Sequence, residues 1–322
     1  MNSNWKNFLL SAQAHFLTPT DVAFPLAGTS ARQRICPLVF LGVLSIGGKD
    51  AAGLLQGQTT CNINDLSETQ SSLGALCNPK GRAIATFLLI KQADVFHLIV
   101  PAELLDTVRK RLGLFILRSD ATITDTTNDY CLLGVSPSTA PTAAWLATTP
   151  IPVASVNFGD RSLVLATPDA AASFWSAKIQ QGFLPENTDQ WRLRDIVSGI
   201  PWLTGATSEA FVPLMLNLDK LGGISFSKGC YTGQEVIART YYLGKSKRGL
   251  FLAESSADAP EPYTNVLDGR DEPMGQVLVA QADGQRCKML VVIQIAEDNN
   301  DQLKLADGRP LVLLEFSTPT IA

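Results

Sequence analysis

Histidine is the scarcest chemical resource of this chain: 322 residues contain two, His15 and His97, and neither stands near a group of cysteines. A zinc site or a histidine-based catalytic triad has almost no material to work with. The six cysteines, at positions 36, 61, 77, 131, 230 and 287, form no C-x-x-C pair, so metal-ligand spacing is absent and no stable metal is expected. Most of these thiols are expected to be buried small hydrophobes of a reducing compartment. Long apolar runs are also missing. The longest nearly unbroken one, 38–48, falls far short of the ~18 residues a membrane span needs, and the opening MNSNWKNFLL has no charged region followed by a long apolar stretch. The expectation is a soluble, unexported, cytoplasmic protein with no membrane partner. Charge of one sign is lacking as well: 26 basic residues face 30 acidic ones, a net −4, which excludes tight nucleic-acid binding by bulk charge.

What is present points to a folded protein of two or three domains, since 46% of residues are hydrophobic and 17% charged. Two segments share one pattern. The strand Val95–Val100 runs into Pro101 and a helix with the stripe Leu104, Leu105, Val108 and Leu112, closed by Gly113; Ser162–Ala166 runs into Thr167, Pro168 and a helix containing Phe174 and Ile179, closed by Gly182. With further strands at Ala83–Ile90 and Ala121–Thr124, this suggests an α+β fold of two related subdomains. Strand-proline-helix is also a common local pattern, and that plainer reading stands beside it.

Beyond Arg248 the character changes to strand-like stretches (Gly249–Ala253, Gln276–Ala280, Cys287–Ile295, Pro310–Phe316). The breaks between them include Asp268-Gly269, Asp283-Gly284 and Asp307-Gly308, strong hairpin signals. They predict a C-terminal antiparallel β-barrel over 245–322. The preceding 1–244 would then hold the two α+β subdomains, about 1–50 with 140–244, and 51–139. Charge divides in the same place: 251–322 holds 12 acids and 5 bases (net −7), whereas 228–248 holds Lys228, Arg239, Lys245, Lys247 and Arg248 against Glu235 (net +4).

Leu221–Arg239 is the most informative segment. Gly222, Gly223, Gly229 and Gly233 imply that backbone approaches backbone, or a ligand, more closely than side chains permit. A helix is expected soon after Cys230, with Thr232 as cap and Glu235 at capping-box spacing. Lys228 and the positive end of that helix would both favour a thiolate at Cys230. Taken alone, these residues fit an inert cysteine in a glycine-rich bend as readily as a reactive thiol.

The strings Phe211-Val-Pro213, Asn217-Leu218, Leu221-Gly-Gly-Ile-Ser-Phe226, Lys228-Gly-Cys-Tyr-Thr-Gly-Gln-Glu235 and Ala238-Arg239 resemble the signature of the YgfZ family of folate-binding proteins. The likeness extends through Leu55-Gln-Gly-Gln58 and Cys77-Asn-Pro-Lys-Gly-Arg82. It implies two α+β domains and a C-terminal β-barrel around a central folate site, as in the related glycine-cleavage T-protein. It further implies tetrahydrofolate or a related folate as cofactor, a functional Cys230, and a role in maintaining iron–sulfur enzymes and, through them, tRNA modification. Iron–sulfur proteins such as tRNA methylthiolases would be transient partners. Within the motif, Lys228, Tyr231, Gln234 and Arg239 are the implied folate-site residues.

Three further places are candidates. Asn78, Pro79 and Gly81 fit a type I turn between strands, which leaves the flanking cations Lys80 and Arg82 either solvated or, as the resemblance implies, near the glutamate tail of a folate. Gln56-Gly57-Gln58 reads as a helix end. On a helix over 189–198 with the core stripe Leu193, Ile196 and Val197, Trp191 falls on the opposite face with Arg194, Asp195 and Ser198. There it would meet another domain or a ligand, and the resemblance favours folate. The family's second folate-associated tryptophan aligns with Leu41. Together these place Cys230 and Trp191 on one cavity where the α+β domains meet the barrel.

Two other functions compete. A folate-dependent aminomethyltransferase would be expected to carry a D-x-S-H-type motif, which is absent; a non-catalytic RNA-binding adaptor would use the basic seam 239–248.

Overall fold

The computed structural model describes residues 1–25, 33–68, 70–117, 119–136, 154–157 (backbone), 161–244, 246–294 and 302–316. Of the segments read above, Lys245, Ile295 and the start of 140–244 lie outside them. In chain order the elements are α1 (Ser3–Ser11), β1 (His15–Thr18), β2 (Asp21–Ala23), β3 (Arg34–Pro37), β4 (Leu41–Gly47), α2 (Ala51–Gln58), β5 (Ser72–Cys77), β6 (Ala83–Gln92), β7 (Val95–Pro101) and α3 (Leu105–Gly113). There follow β8 (Thr122–Asp125), β9 (Cys131–Ser136), β10 (Ala154–Asn157), β11 (Ser162–Ala166), α4 (Pro168–Gln180), β12 (Leu184–Pro185), α5 (Thr188–Val197) and α6 (Gln234–Leu243). The last six strands are β13 (Arg248–Ser256), β14 (Asn265–Leu267), β15 (Pro273–Asp283), β16 (Arg286–Gln294), β17 (Lys304–Leu305) and β18 (Leu311–Leu314).

Two five-stranded sheets form the α+β part, ordered β5-β6-β7-β4-β8 and β10-β11-β9-β3-β12. Each contains one of the two strand-proline-helix units, and in each the helix hands the chain to an edge strand beside the first strand of that sheet. The stripe Leu104, Leu105, Val108 and Leu112 is buried as its spacing predicts, and so is Phe174, whereas Ile179 is exposed. The chain passes from one sheet to the other at 38–40, between β3 and β4, and returns between β8 and β9. Sheet membership therefore changes there, not at 50 and 139.

The C-terminal strands form one antiparallel sheet ordered β17-β14-β15-β16-β13-β18 and curled into a half-barrel. Long strands β13, β15 and β16 carry the ladder, and the β15–β16 hairpin turns at Gly284 with φ +65°, as Asp-Gly predicts. A full barrel is not reached because β14 and β17 are short: the two edges meet through a single bridge, Lys304 to Pro310.

Helix α5 decides where Trp191 points. It lies between the second sheet and the half-barrel, packing on β2 and β3 from one side and on β15 and β16 from the other. A helix with two apolar neighbours has no solvent face, so the 100° argument mislocates the indole. Trp191 is 2% exposed, its ring lies against Gly134 of β9, and the Arg161 guanidinium stacks 4.9 Å from its centroid. Asp195, predicted on that same polar face, is buried and paired with Arg161 at 2.8 Å. Trp191 therefore serves as core packing. Trp191→Ala should cost about 3–5 kcal/mol of stability, read as a lowered denaturation midpoint. Gly134→Ala should be damaging for the same reason, since its Cβ would lie 2.2 Å from the indole.

Candidate functional site

The sequence motifs that carry the family likeness come together around the start of α6. The Gly57 carbonyl accepts a hydrogen bond from the Thr232 amide at 3.3 Å, and the Gln58 side chain accepts one from the Thr232 hydroxyl at 3.0 Å. Thr60 donates its hydroxyl to the Gly223 carbonyl at 2.6 Å, and Ser225 donates its amide to the Thr60 carbonyl at 2.9 Å. Thus Leu55–Cys61 is stitched along the glycine-rich loop. Gln56-Gly57-Gln58 ends α2 as read, and Gln56 ties the following loop to that helix through Asn62 and the Ile63 amide.

The β5–β6 turn meets the same place. Asn78 accepts amide hydrogen bonds from Lys80 and Arg82 and Gly81 has φ +72°, the turn geometry predicted from Asn-Pro-Lys-Gly. Gly233 has φ +84°, and a Cβ on it would lie 2.7 Å from the Asn78 carbonyl and 2.9 Å from the Gly81 Cα. Two glycines are needed for hairpin and helix to touch. This contact replaces the expected cap: Gly233 occupies the N-cap position, and Thr232 spends its hydroxyl on Gln58. Arg82 donates to the carbonyls of Glu209 and Ala210, so it braces the turn, while Lys80 is exposed.

Lys228 turns inward. The residue is 8% exposed, and its ammonium donates to the carbonyls of Thr59 and Cys61, each at 2.7 Å, just beyond the C-terminal end of α2. Burial pulls its pKa down to about 8, and the ammonium lies 5.0 Å from the ring of Tyr231, which is also buried. Lys228 is therefore an anchor for the loop, and its charge is committed away from the solvent where Cys230 emerges. Cys230 is the exposed one of the six thiols. Burial raises the other five, Cys77 and Cys131 to about 12, so exposure rather than a neighbouring ammonium singles out Cys230. Gln234 opens α6 half-buried, and Arg239 stands exposed on it.

A second feature lies at the junction of both α+β sheets with the half-barrel. A cavity of about 420 Å³ opens among Phe40, Glu103, Arg192, Asp195, Trp202 and the β15 segment 279–281. Trp202 donates its indole N–H to Asp195 Oδ2 at 2.9 Å; burial raises the Asp195 carboxyl, and Arg161 pulls it back down. Glu103 accepts the Gly205 amide at 2.9 Å. Arg192 pairs with Asp21 and lies 4.7 Å from the Phe40 ring. Leu41 is buried and its neighbour Phe40 supplies the aromatic wall. None of Cys230, Trp191, Lys80, Arg82, Lys228, Tyr231, Gln234, Arg239 or Leu41 lines this cavity, so Cys230 and Trp191 do not share it. Asp195 lies on the helix face that periodicity reads as polar, and Glu103 has no spacing that links it to the cavity. No periodicity marks Trp202.

Two outcomes follow. Brief alkylation of the folded protein at neutral pH should place one adduct, on Cys230, by peptide mass spectrometry, with all six thiols labelled after unfolding; early labelling of Cys61 or Cys77 would contradict the burial argument. Gly233→Ala should cost about 1–3 kcal/mol through its positive φ and the clash with the hairpin carbonyl. It should also speed proteolysis of the 221–233 loop.

No family model matches the chain. It is 32% identical over 238 residues to the tRNA-modifying protein YgfZ of Colwellia psychrerythraea, covering 70% of this chain and 73% of that one. It is 30% identical over 302 residues to the YgfZ of Shigella sonnei, covering 88% and 91%. In three dimensions it is similar to the glycine cleavage system aminomethyltransferase T of Bartonella henselae, with a TM-score of 0.71 at 13% identity over 98% of this chain and 97% of that one, a likeness of fold. Identity at this level across most of both chains, carried by motifs that converge on one helix start, places the chain in the YgfZ family.

Proposed function

We propose that the protein is a cytoplasmic tetrahydrofolate-binding factor whose exposed Cys230 supports iron–sulfur enzymes and thereby tRNA modification, with tRNA methylthiolases among its transient partners. The observation that carries the folate part is the three-way cavity: its volume of about 420 Å³ lies within the ~300–1,000 Å³ usual for ligand pockets. Its chemistry suits a flat heteroaromatic ring with an acidic tail. Phe40 and Trp202 offer apolar faces, the Glu103 carboxylate suits ring amino and N–H donors, and Arg192, already paired with Asp21, brings a cation to the wall beside them. When bound, a folate would supply one-carbon or electron-donating chemistry; the residues around it bind and orient. The printed name of the relatives, tRNA-modifying protein, supports the tRNA part.

Cys230 stands apart from this cavity, so the two functions should separate. Glu103→Gln keeps an acceptor for the Gly205 amide but removes the charge, and should weaken tetrahydrofolate binding on the order of tenfold by calorimetry. Cys230→Ser should bind folate normally yet fail to restore methylthiolated tRNA bases in cells lacking their own copy of the protein. Full restoration by Cys230→Ser would remove the thiol from the mechanism. Glycine-dependent methylenetetrahydrofolate formation with a carrier protein would instead indicate an aminomethyltransferase.

A further inference from the structure

The C-terminal turn of α6 carries two rings, Tyr241 and Tyr242, that pack on a third, Phe226 of the preceding loop, and the folate reading uses none of them. Phe226 stacks on Tyr241 with centroids 3.9 Å apart and planes 21° from parallel, and Tyr242 meets both edge-on, at 5.9 and 5.1 Å. Phe226 is seated against the core, which holds the stack in place. The outer rings are open: Tyr241 is 49% exposed, Tyr242 66%, and the following Leu243 83%. An apolar cluster this exposed marks a contact surface.

The surroundings carry cations in the groove, balanced there by two acids, and further cations beside it. Tyr241, Lys220, Thr240, Ser246 and Arg248 line a groove of about 690 Å³ between α6 and strand β13, to which Asp219 and Glu315 also contribute. Arg239 and Lys247 are exposed beside the rings, with Glu235 one turn before Arg239. Among the described residues no ion pair engages Lys220, Arg239, Lys247 or Arg248, although Arg109, Lys110, Arg192, Arg194, Arg286 and Arg309 all have carboxylate partners. Arg239, Lys247 and Arg248 lie in the stretch 228–248 with a net +4, directly before the acidic half-barrel sequence, and Lys220 stands outside that stretch.

We propose that this surface is a stacking platform for unpaired nucleotides of single-stranded RNA, with bases on the Tyr241 and Tyr242 rings and phosphates on Lys220, Arg239, Lys247 and Arg248. Flat rings, already stacked and backed by the core, accept a base at small entropic cost, and every base has a π face. Cations without ion pairs, Lys220 and Arg248 in the groove and Arg239 and Lys247 exposed on the adjoining segment, are the complement of a phosphate backbone. Helix α6 is about 15 Å long, so Tyr241 and Tyr242 sit at the end of it away from Cys230, while Phe226 of the Cys230 loop reaches back to stack on Tyr241. The inference does not depend on folate binding.

Fluorescence anisotropy with a short labelled oligouridylate and its oligoadenylate counterpart tests it, at low salt and with a matching RNA duplex for comparison. Single strands should bind more tightly than the duplex. Tyr242→Ala should weaken binding about tenfold and Tyr241→Ala/Tyr242→Ala further, while Tyr242→Phe keeps it. Lys247→Ala should lower the slope of log affinity against log salt by about 0.7. Because both tyrosines are exposed, thermal melting should be unchanged. Absence of single-strand binding, or equal binding by the alanine variants, would overturn the proposal. So would loss of anionic-vesicle binding or of self-association in Tyr242→Ala with RNA affinity intact.

Discussion

Helix α6 begins against the β5–β6 turn at a separation that admits no Cβ on either side, and much of the candidate site depends on that contact. Gly81 and Gly233 both have left-handed φ, and each meets the other's backbone. Once they touch, the direction of α6 and the exit of the Cys230 loop are constrained together. The Lys228 ammonium completes the arrangement from below. Its two carbonyl partners at the end of α2 offset the cost of burying a cation, and they hold the loop to a second element. The exposed thiol is thus presented by a loop fastened at both ends.

Helix α5 plays the corresponding part for the cavity. Enclosed between a sheet and the half-barrel, it buries a carboxylate, Asp195, which is tolerated because Arg161 and the Trp202 indole satisfy its two oxygens. The same pair fixes Trp191, since the guanidinium that neutralises Asp195 also covers the indole face. One face of α5 is therefore spent on cohesion, and Arg192, Asp195 and Ile196 contribute to the cavity wall. The fold places cavity and thiol in different parts of the molecule, joined through the first sheet.

Much of this architecture was legible in the order of residues. The two strand-proline-helix units, the turn at Asn78–Gly81, the Asp-Gly hairpin at 283–284 and the sheet-rich C-terminal part all form as local rules require. These signals are short-range: a proline ring, a glycine φ or an alternation acts within a few residues whatever lies beyond. The motif likeness also marked the segments 55–58, 77–82 and 211–239 as belonging together, and they do meet.

What local rules determined, then, was which elements exist and which segments carry chemistry. Tertiary structure decided where their side chains point. Trp191 occupies the face that helical periodicity calls polar, yet it is buried because a second layer covers that face. Lys228 adjoins Cys230 in sequence but turns to the carbonyls that follow α2, and Thr232 leaves its cap position for Gln58. The cavity draws on residues from 20 to 281, which no spacing links. Such assignments depend on what packs opposite each side chain, and that is set by contacts across the whole fold.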